Sequence, residues 1–266
     1  MYICGSNSDF IMLKLTFLGT GTSQGVPMIG CDCKVCRSED SRDRRLRSAV
    51  MVEDGTTRVV IDSGPDFRYQ MLREGVKAID AILLTHQHTD HIIGLDDVRA
   101  FNYFCKKSIE VYATEAVQEV VRKNFDYAFS EKPYPGAPQI TLQTIDQEPF
   151  KVGTLDIVPI RGKHFTLPVT GYRIGGIAYL TDFNHISTEE LAKLEGVEVL
   201  IINALRHTRH ISHFSLPEAE EIARRVGAPK TYFTHISHQL GLHAEEEPLL
   251  PEGMSLAYDT LTIEIQ

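Results

Sequence analysis

The sequence predicts a mixed α/β (α+β) fold organised as one domain. Three observations carry this. Apolar runs of strand length alternate with amphipathic stretches of helical length. The alternation falls into two similar halves with no linker of Pro, Gly or Ser between them. The chain has 266 residues, 42% hydrophobic and 24% charged, which suits one substantial globular core. Residues 1–11 are expected to form a flexible N-terminal extension, and residues 12–266 the single domain.

The first strand is expected at Leu13 to Leu18, followed by a Gly/Thr-rich turn over Gly19 to Gly25. An irregular segment then holds three cysteines and the charged run Arg37 to Arg47. Strands Ala49 to Glu53 and Thr57 to Asp62 flank Asp54-Gly55, a hairpin signal. Ser63-Gly64-Pro65 opens a helix to about Arg73, with Pro65 near its first turn. Ile79 to Leu84 reads as a buried strand, Asp96 to Phe104 as a helix and Ile109 to Ala113 as a strand. Thr114 N-caps an amphipathic helix to Asn124. Tyr127 to Pro138, rich in Pro, Tyr and Gly, reads as a surface loop that lids the site. Strands follow at Gln139 to Ile145, Leu155 to Arg161, Thr170 to Ile174 and Ile177 to Thr181, the last two joined through Gly175-Gly176. A helix at Thr188 to Leu194, a strand at Val199 to Asn203, a helix at Pro217 to Val226 and a strand at Thr231 to Thr234 come next. Two strands near Ser255 to Tyr258 and Leu261 to Ile265 finish the chain.

The bulk properties exclude several roles. A formal net charge of −9 argues against a broad nucleic-acid surface, which needs a basic stripe. No apolar run approaches the roughly 18 residues of a membrane span, and Met1 to Phe10 lacks the features of a secretory signal. A cytoplasmic location is therefore expected. Cys31, Cys33 and Cys36 lie close together while Cys4 and Cys105 stand alone. In a reducing compartment such a cluster indicates metal before disulfide.

The segment Thr85-His86-Gln87-His88-Thr89-Asp90-His91 directly follows the buried strand. Histidine is the commonest metal ligand, and aspartate is a hard anionic partner for the same ion. Residues i and i+2 of a helix do not face each other, so His86 and His88 could share an ion only on a loop. Asp90 and His91 would then serve a neighbouring second ion.

These residues resemble the H-x-H-x-D-H signature of the metallo-β-lactamase-fold hydrolases. That resemblance implies a four-layer αββα sandwich with a binuclear site at the rim of its two sheets. His164, Asp182 and His235 each follow an expected strand, where rim loops collect. By the resemblance, His86, His88 and His164 hold one ion, Asp90, His91 and His235 the other, and Asp182 bridges them. Asp62 is either an acceptor for a ligand imidazole or a turn residue. A hydroxide bridging the two ions is then the natural nucleophile. Among His207, His210 and His213, the last precedes a helix entry and is the candidate general acid, so Asp90 and His213 are the candidate catalytic residues. The alternative is that these loop histidines are simply solvated.

Three thiolates at Cys31, Cys33 and Cys36 need a fourth ligand for a closed tetrahedral zinc, and His238 in Thr234-His235-Ile236-Ser237-His238 offers one. Together with Gly19-Thr20-Gly21-Thr22-Ser23-Gln24-Gly25-Val26-Pro27, this order of motifs resembles the phosphoribosyl cyclic phosphate phosphodiesterases of bacterial phosphonate (C–P lyase) metabolism. Tyr258-Asp259-Thr260 departs from that pattern, with Thr260 where Gly is expected. The resemblance implies a binuclear hydrolase with two divalent ions (Zn²⁺, Mn²⁺ or Fe²⁺), one structural zinc, a small cyclic phosphate diester as substrate and a homodimeric state. The alternatives are a tRNA 3′-processing phosphodiesterase, for which no long arm insertion is seen, a thioester or lactone hydrolase, and a noncatalytic metal-binding scaffold.

Overall fold

The computed structural model describes residues 12–265. The expectation for residues 1–11 lies outside the described residues, as does Cys4. The first sheet has seven strands in the order β15-β1-β2-β3-β4-β5-β6. They are β1 (Leu13–Gly19), β2 (Ala49–Glu53), β3 (Arg58–Ile61), β4 (Ala81–Leu83), β5 (Ile109–Ala113), β6 (Ile140–Thr144) and, from the far end of the chain, β15 (Thr262–Ile265). The second sheet has eight, ordered β11-β8-β9-β10-β12-β13-β14 with β7 beside β8. Its members are β7 (Phe150–Val152), β8 (Leu155–His164), β9 (Leu167–Ile174), β10 (Ile177–Leu180), β11 (His185–Ile186), β12 (Val199–Asn203), β13 (Lys230–Thr234) and β14 (Met254–Leu256). The helices are α1 (Phe67–Arg73), α2 (Thr89–Ile92), α3 (Arg99–Cys105), α4 (Glu115–Asn124), α5 (Asp126–Phe129), α6 (Thr188–Ala192), α7 (Leu216–Val226) and α8 (His243–Glu246).

Three apolar layers explain the stacking. Leu15, Phe17, Val50, Val52, Tyr172, Tyr179 and Ile201 fill the space between the sheets. Alternate residues of the same strands point the other way. Val60, Ile82 and Val111 meet Phe67, Val98 and Val121 from the helices outside the first sheet. Leu180, Leu200 and Phe233 meet Leu216, Ala219 and Ile222 of α7 outside the second. The result is the expected αββα sandwich. Strands such as β4 and β12 are buried on both faces, and therefore read as continuous apolar runs rather than alternating ones.

The topology puts the candidate ligands at one rim. β3, β4, β5 and β6 run parallel, as do β10, β12, β13 and β14. Open parallel sheets present their loops for ligands at the carboxyl ends of the strands. Residues 85–91 leave that end of β4, Asp182 that of β10 and His235 that of β13. The two rims are tied together where Thr170 N donates to Thr85 O and Tyr172 Oη donates to Leu84 O.

Two expectations need correction. His164 does not follow its strand but is the last residue of β8, whose pairing continues to His164↔Leu167. The loop before β6 does not lid the site. Ile109 N donates to Gln139 O, and Asn102 exchanges hydrogen bonds with Gln139. The loop therefore lies at the start of the parallel strands, opposite the histidines. Its first residues instead form α5.

Candidate metal centres

The loop leaving β4 turns sharply because its carbonyls and amides are already engaged. Asp62 N donates to Leu83 O, Ser63 N to His91 O and Gly94 N to Ser63 O. Glycine is required at both contacts: a Cβ on Gly64 would stand 1.9 Å from Asp90 O, and one on Gly94 would stand 2.1 Å from Gly64 O. Asp62 is fully buried. Its carboxylate accepts from Thr85 N and Thr85 Oγ1, both at 2.9 Å, and from His91 Nδ1 at 2.7 Å. Donation through Nδ1 leaves His91 Nε2 as the free ligand atom, the usual way a carboxylate orients a metal-binding imidazole.

The ligand atoms of His86, His88 and His164 lie within 4.8 Å of one another, and so do those of His86, His91 and Asp182. Asp182 touches both sets. Its Oδ2 is 3.4 Å from His86 Nε2 and 3.0 Å from His91 Nε2, while its Oδ1 is 2.8 Å from His235 Nδ1. Asp90 joins through His91, with 3.2 Å between Oδ2 and Nε2. His235 reaches the cluster through Asp182; its ring stacks on that of His91 at 6.0 Å. Asp62, Asp182 and His235 each adopt a left-handed backbone, with φ of 69°, 61° and 55°. Such conformations cost a non-glycine residue about 1 kcal/mol or more and gather at functional sites.

The electrostatics call for a cation. Burial alone would lower His91, but Asp182 and Asp62 outweigh it and hold the ring well above its ordinary value. Burial would raise Asp182, but His235 and His91 outweigh it and keep the carboxylate ionised. His86 is pushed well below its ordinary value, first by burial and then by the charge on His91. A buried imidazolium held by two carboxylates occupies a position suited to a metal ion, whose binding would release that proton. His91 Nε2 is the atom aimed at the Asp182 and Asp90 carboxylates, and the buried His235 Nε2 has no hydrogen-bond partner, which suits a metal-ligand atom. The donor set therefore fits divalent metal.

His213 reaches this centre from the loop before α7, with Nδ1 3.9 Å from Asp182 Oδ1. Burial pushes its pKa down to about 3, so the ring is neutral before a substrate arrives. His164 Nδ1 is 2.8 Å from Ser212 O, which fixes the loop. His207 is drawn away to Glu246 Oε2 at 2.9 Å, while His210 stacks on His213 at 5.2 Å. Sequence reasoning missed Ser48, whose Oγ is 3.2 Å from His235 Nδ1, and Asn184, which ties Phe165 N to Ile211 O. The position of Asn184 two residues after Asp182 was the available signal.

The second cluster is separate. Sγ of Cys31, Cys33 and Cys36 and a nitrogen of His238 lie within 4.8 Å of one another, with His238 Nδ1 at 3.3 Å from Cys31 and 3.4 Å from Cys33. The Cys36 amide beside Cys33 holds that thiol down to about 6, while burial pushes Cys36 up to about 11. Three thiols and one imidazole are the donor set of a closed tetrahedral zinc site. One short segment serves both clusters: His235 faces Asp182, and His238 faces the thiols. Between them, Ile236 N donates to Thr20 O, and its carbonyl accepts from Thr22 N.

Residues 57–236 match the Beta-lactamase superfamily domain. Among curated proteins, an octanoyltransferase of Porphyromonas gingivalis is 40% identical over 252 residues, covering 94% of this chain and 51% of its own length. The chain thus spans about half of that relative. A coenzyme PQQ synthesis protein B of Methylorubrum extorquens is 25% identical over 217 residues, 72% of each chain. Among solved structures, a diphosphatase of the PhnP family aligns with a TM-score of 0.90 at 43% identity, over 96% of this chain and 97% of the other. The short form of human tRNase Z shares the fold, with a TM-score of 0.68 at 20% identity over 94% of this chain and 98% of the other.

Proposed function

The chain belongs to the beta-lactamase superfamily as a PhnP-like metal-dependent hydrolase, and from that premise we propose that it opens a small cyclic phosphate diester of the phosphoribosyl cyclic phosphate kind. The observation that carries the reading is the placement of the Asp182 carboxylate between the two histidine sets, with His213 beside it. His86, His88 and His164 would hold one divalent ion, Asp90, His91 and His235 a second, and Asp182 would be shared. Two such ions, zinc or manganese, supply water activation and charge neutralisation on the phosphoryl oxygens. Asp62 keeps the His91 lone pair directed inward. His213, on the open side, is placed to give a proton to the departing alkoxide once an anionic phosphoryl group restores its charge. The Cys31, Cys33, Cys36 and His238 cluster would take a structural zinc that fixes the segment bearing His235.

The 43% identical PhnP-family structure, a diphosphatase, favours one second reading: cleavage of a diphosphate at the same centre. Transfer of RNA-processing activity from tRNase Z has only a shared fold behind it. The test is phosphorus NMR of the manganese-supplied protein with 5-phosphoribosyl 1,2-cyclic phosphate, and in parallel with ADP-ribose. Fast opening of the cyclic ester at one bond supports the first reading. Cleavage of the diphosphate alone replaces it with the second.

A further inference from the structure

Ser48, the residue before β2, is 1% exposed, and its hydroxyl lies against the ring of His235. We propose that Ser48 is a positioning residue for the metal centre: its oxygen accepts the Nδ1 proton of His235 and so leaves Nε2 as the atom that would bind an ion. The proposal rests on the assignment of His235 to the second ion and is independent of the substrate.

The first ground is where the protons around Nδ1 go. Three oxygens surround this nitrogen: Asp182 Oδ1 at 2.8 Å, Ser48 Oγ at 3.2 Å and Thr181 Oγ1 at 3.4 Å. A carboxylate has no proton to give, and a hydroxyl has one. Ser48 Oγ donates its proton to Gly21 O at 2.9 Å, and Thr181 Oγ1 donates to Asp182 Oδ1 at 3.1 Å. All three oxygens therefore face Nδ1 as acceptors, and that nitrogen carries the ring proton. Nε2, buried and without a hydrogen-bond partner, keeps its lone pair. Metal-binding imidazoles are oriented by donating their other N–H to an oxygen in this way. Asp62 does this for His91. The oxygen that serves His235 apart from the shared Asp182 carboxylate and its Thr181 neighbour is Ser48 Oγ, which is uncharged and stands outside both histidine sets.

The second ground is the Gly/Thr-rich turn after β1. Turns of this composition can cradle an anion through free backbone amides, but here those amides are spent within the protein. Thr20 N donates to Asp259 Oδ1 at 3.0 Å, Gly21 N to Leu46 O at 2.7 Å, Thr22 N to Ile236 O at 3.1 Å and Val26 N to Arg45 O at 2.8 Å. A Cβ on Gly19 would stand 2.0 Å from Arg47 O, so glycine lets the turn lie against the residues before β2. There Gly21 O accepts from Ser48 N at 3.0 Å as well as from Ser48 Oγ, which fixes the direction of the hydroxyl. Thr20 O accepts from Ile236 N, the residue after His235. One turn thus holds both the acceptor and the ring that it orients.

Two measurements test this. Long-range proton–nitrogen NMR of the zinc-loaded native protein, with the His235 ring identified by its absence from His235→Ala, should place the proton on Nδ1 and the metal on Nε2. Manganese binding, read from the paramagnetic resonance of the free ion, is compared in the native, Ser48→Ala, Ser48→Thr and His235→Ala forms. Ser48→Ala should weaken one active-centre manganese by about 10–100-fold and leave the other unchanged, and Ser48→Thr, which keeps the hydroxyl, should recover most of the loss. A His235 proton on Nε2, native manganese affinity in Ser48→Ala, or an equal weakening of both ions that Ser48→Thr does not repair overturns the proposal. Full manganese binding in His235→Ala would overturn the ligand assignment beneath it as well, whereas a loss there with native binding in Ser48→Ala removes Ser48 alone.

Discussion

Replacing Gly64 by alanine should disable the centre without touching a ligand. The new Cβ would sit 1.9 Å from Asp90 O, whereas real Cβ contacts stay above 3.0 Å, so the two backbones must part by about 1.1 Å. Neither side can yield freely. Ser63 N is bonded to His91 O, and Gly94 N to Ser63 O, so the Asp62–Gly64 segment and the histidine loop are latched on both sides of the clash. The opening would carry Asp90 and the His91 backbone away from Asp182, now 3.0 Å from His91 Nε2. A displacement of about 1 Å at a reacting centre costs on the order of 10²-fold in rate, and overpacking of this kind costs about 1–3 kcal/mol in stability. Metal content by plasma emission, hydrolysis of bis(p-nitrophenyl) phosphate and a circular dichroism melt measure the three effects. Native metal content and rate in Gly64→Ala would refute the view that this contact locates Asp90, whatever happens to the melting temperature.

Asp182→Ala should abolish turnover, lower the metal content and leave the circular dichroism spectrum native; retained activity would remove Asp182 from the bridging position. His213→Ala should lower kcat by about 10²–10⁴-fold with metal content unchanged, and a change confined to KM would refute the acid role. Cys33→Ser should cost one metal equivalent and lower the melting temperature more than kcat, which metal analysis and thermal melts compare directly. Cys33 is held down to about 6 from an ordinary 9.0, so its thiolate contributes stability that is full above pH 9 and is lost as pH falls through about 6. The difference in melting temperature between metal-free native protein and Cys33→Ser should therefore grow from pH 5 to pH 9, and a flat difference would refute it. Thr260 has a φ of 74°, so Thr260→Gly should relieve about 1 kcal/mol of strain and raise the melting temperature by about 2–4 °C; a lower melting temperature would contradict this.

Residue chemistry made much of this legible. The strand positions followed from apolar runs that the sandwich buries on both faces. The histidine loop, Asp182, His235 and the cysteine cluster stood out because few structural needs place such side chains together. What stayed hidden depends on contacts far apart in the chain. Arg45, within the charged run of the irregular segment, is 4% exposed and donates to Thr20 Oγ1 and Ala257 O. The polar end of β8 reads as a loop from Gly162 on, yet pairing continues there because the ring of Phe183 packs against Gly162, 2.1 Å from where a Cβ would stand. The segment before β6 has the composition of a lid, and only the direction of the parallel strands shows that it lies at the wrong end. The left-handed backbone at Asp62, Asp182 and His235 leaves no mark in residue type, since none is glycine.

The first sheet is completed by the last strand described. β1 takes β15 as its outer neighbour from Leu13↔Ile265 to Thr16↔Thr262, and Asp259 receives Thr20 N and Leu46 N just beyond. A growing polypeptide therefore holds one edge of its first sheet open until residues 262–265 have been made. The residues that close it emerge after every candidate ligand has been made. Until then β1 offers an unpaired row of amides and carbonyls, the kind of edge that recruits other chains. Truncation before residue 262 would make that exposure permanent, so the last strand guards the nascent protein against aggregation although it lies far from the chemistry.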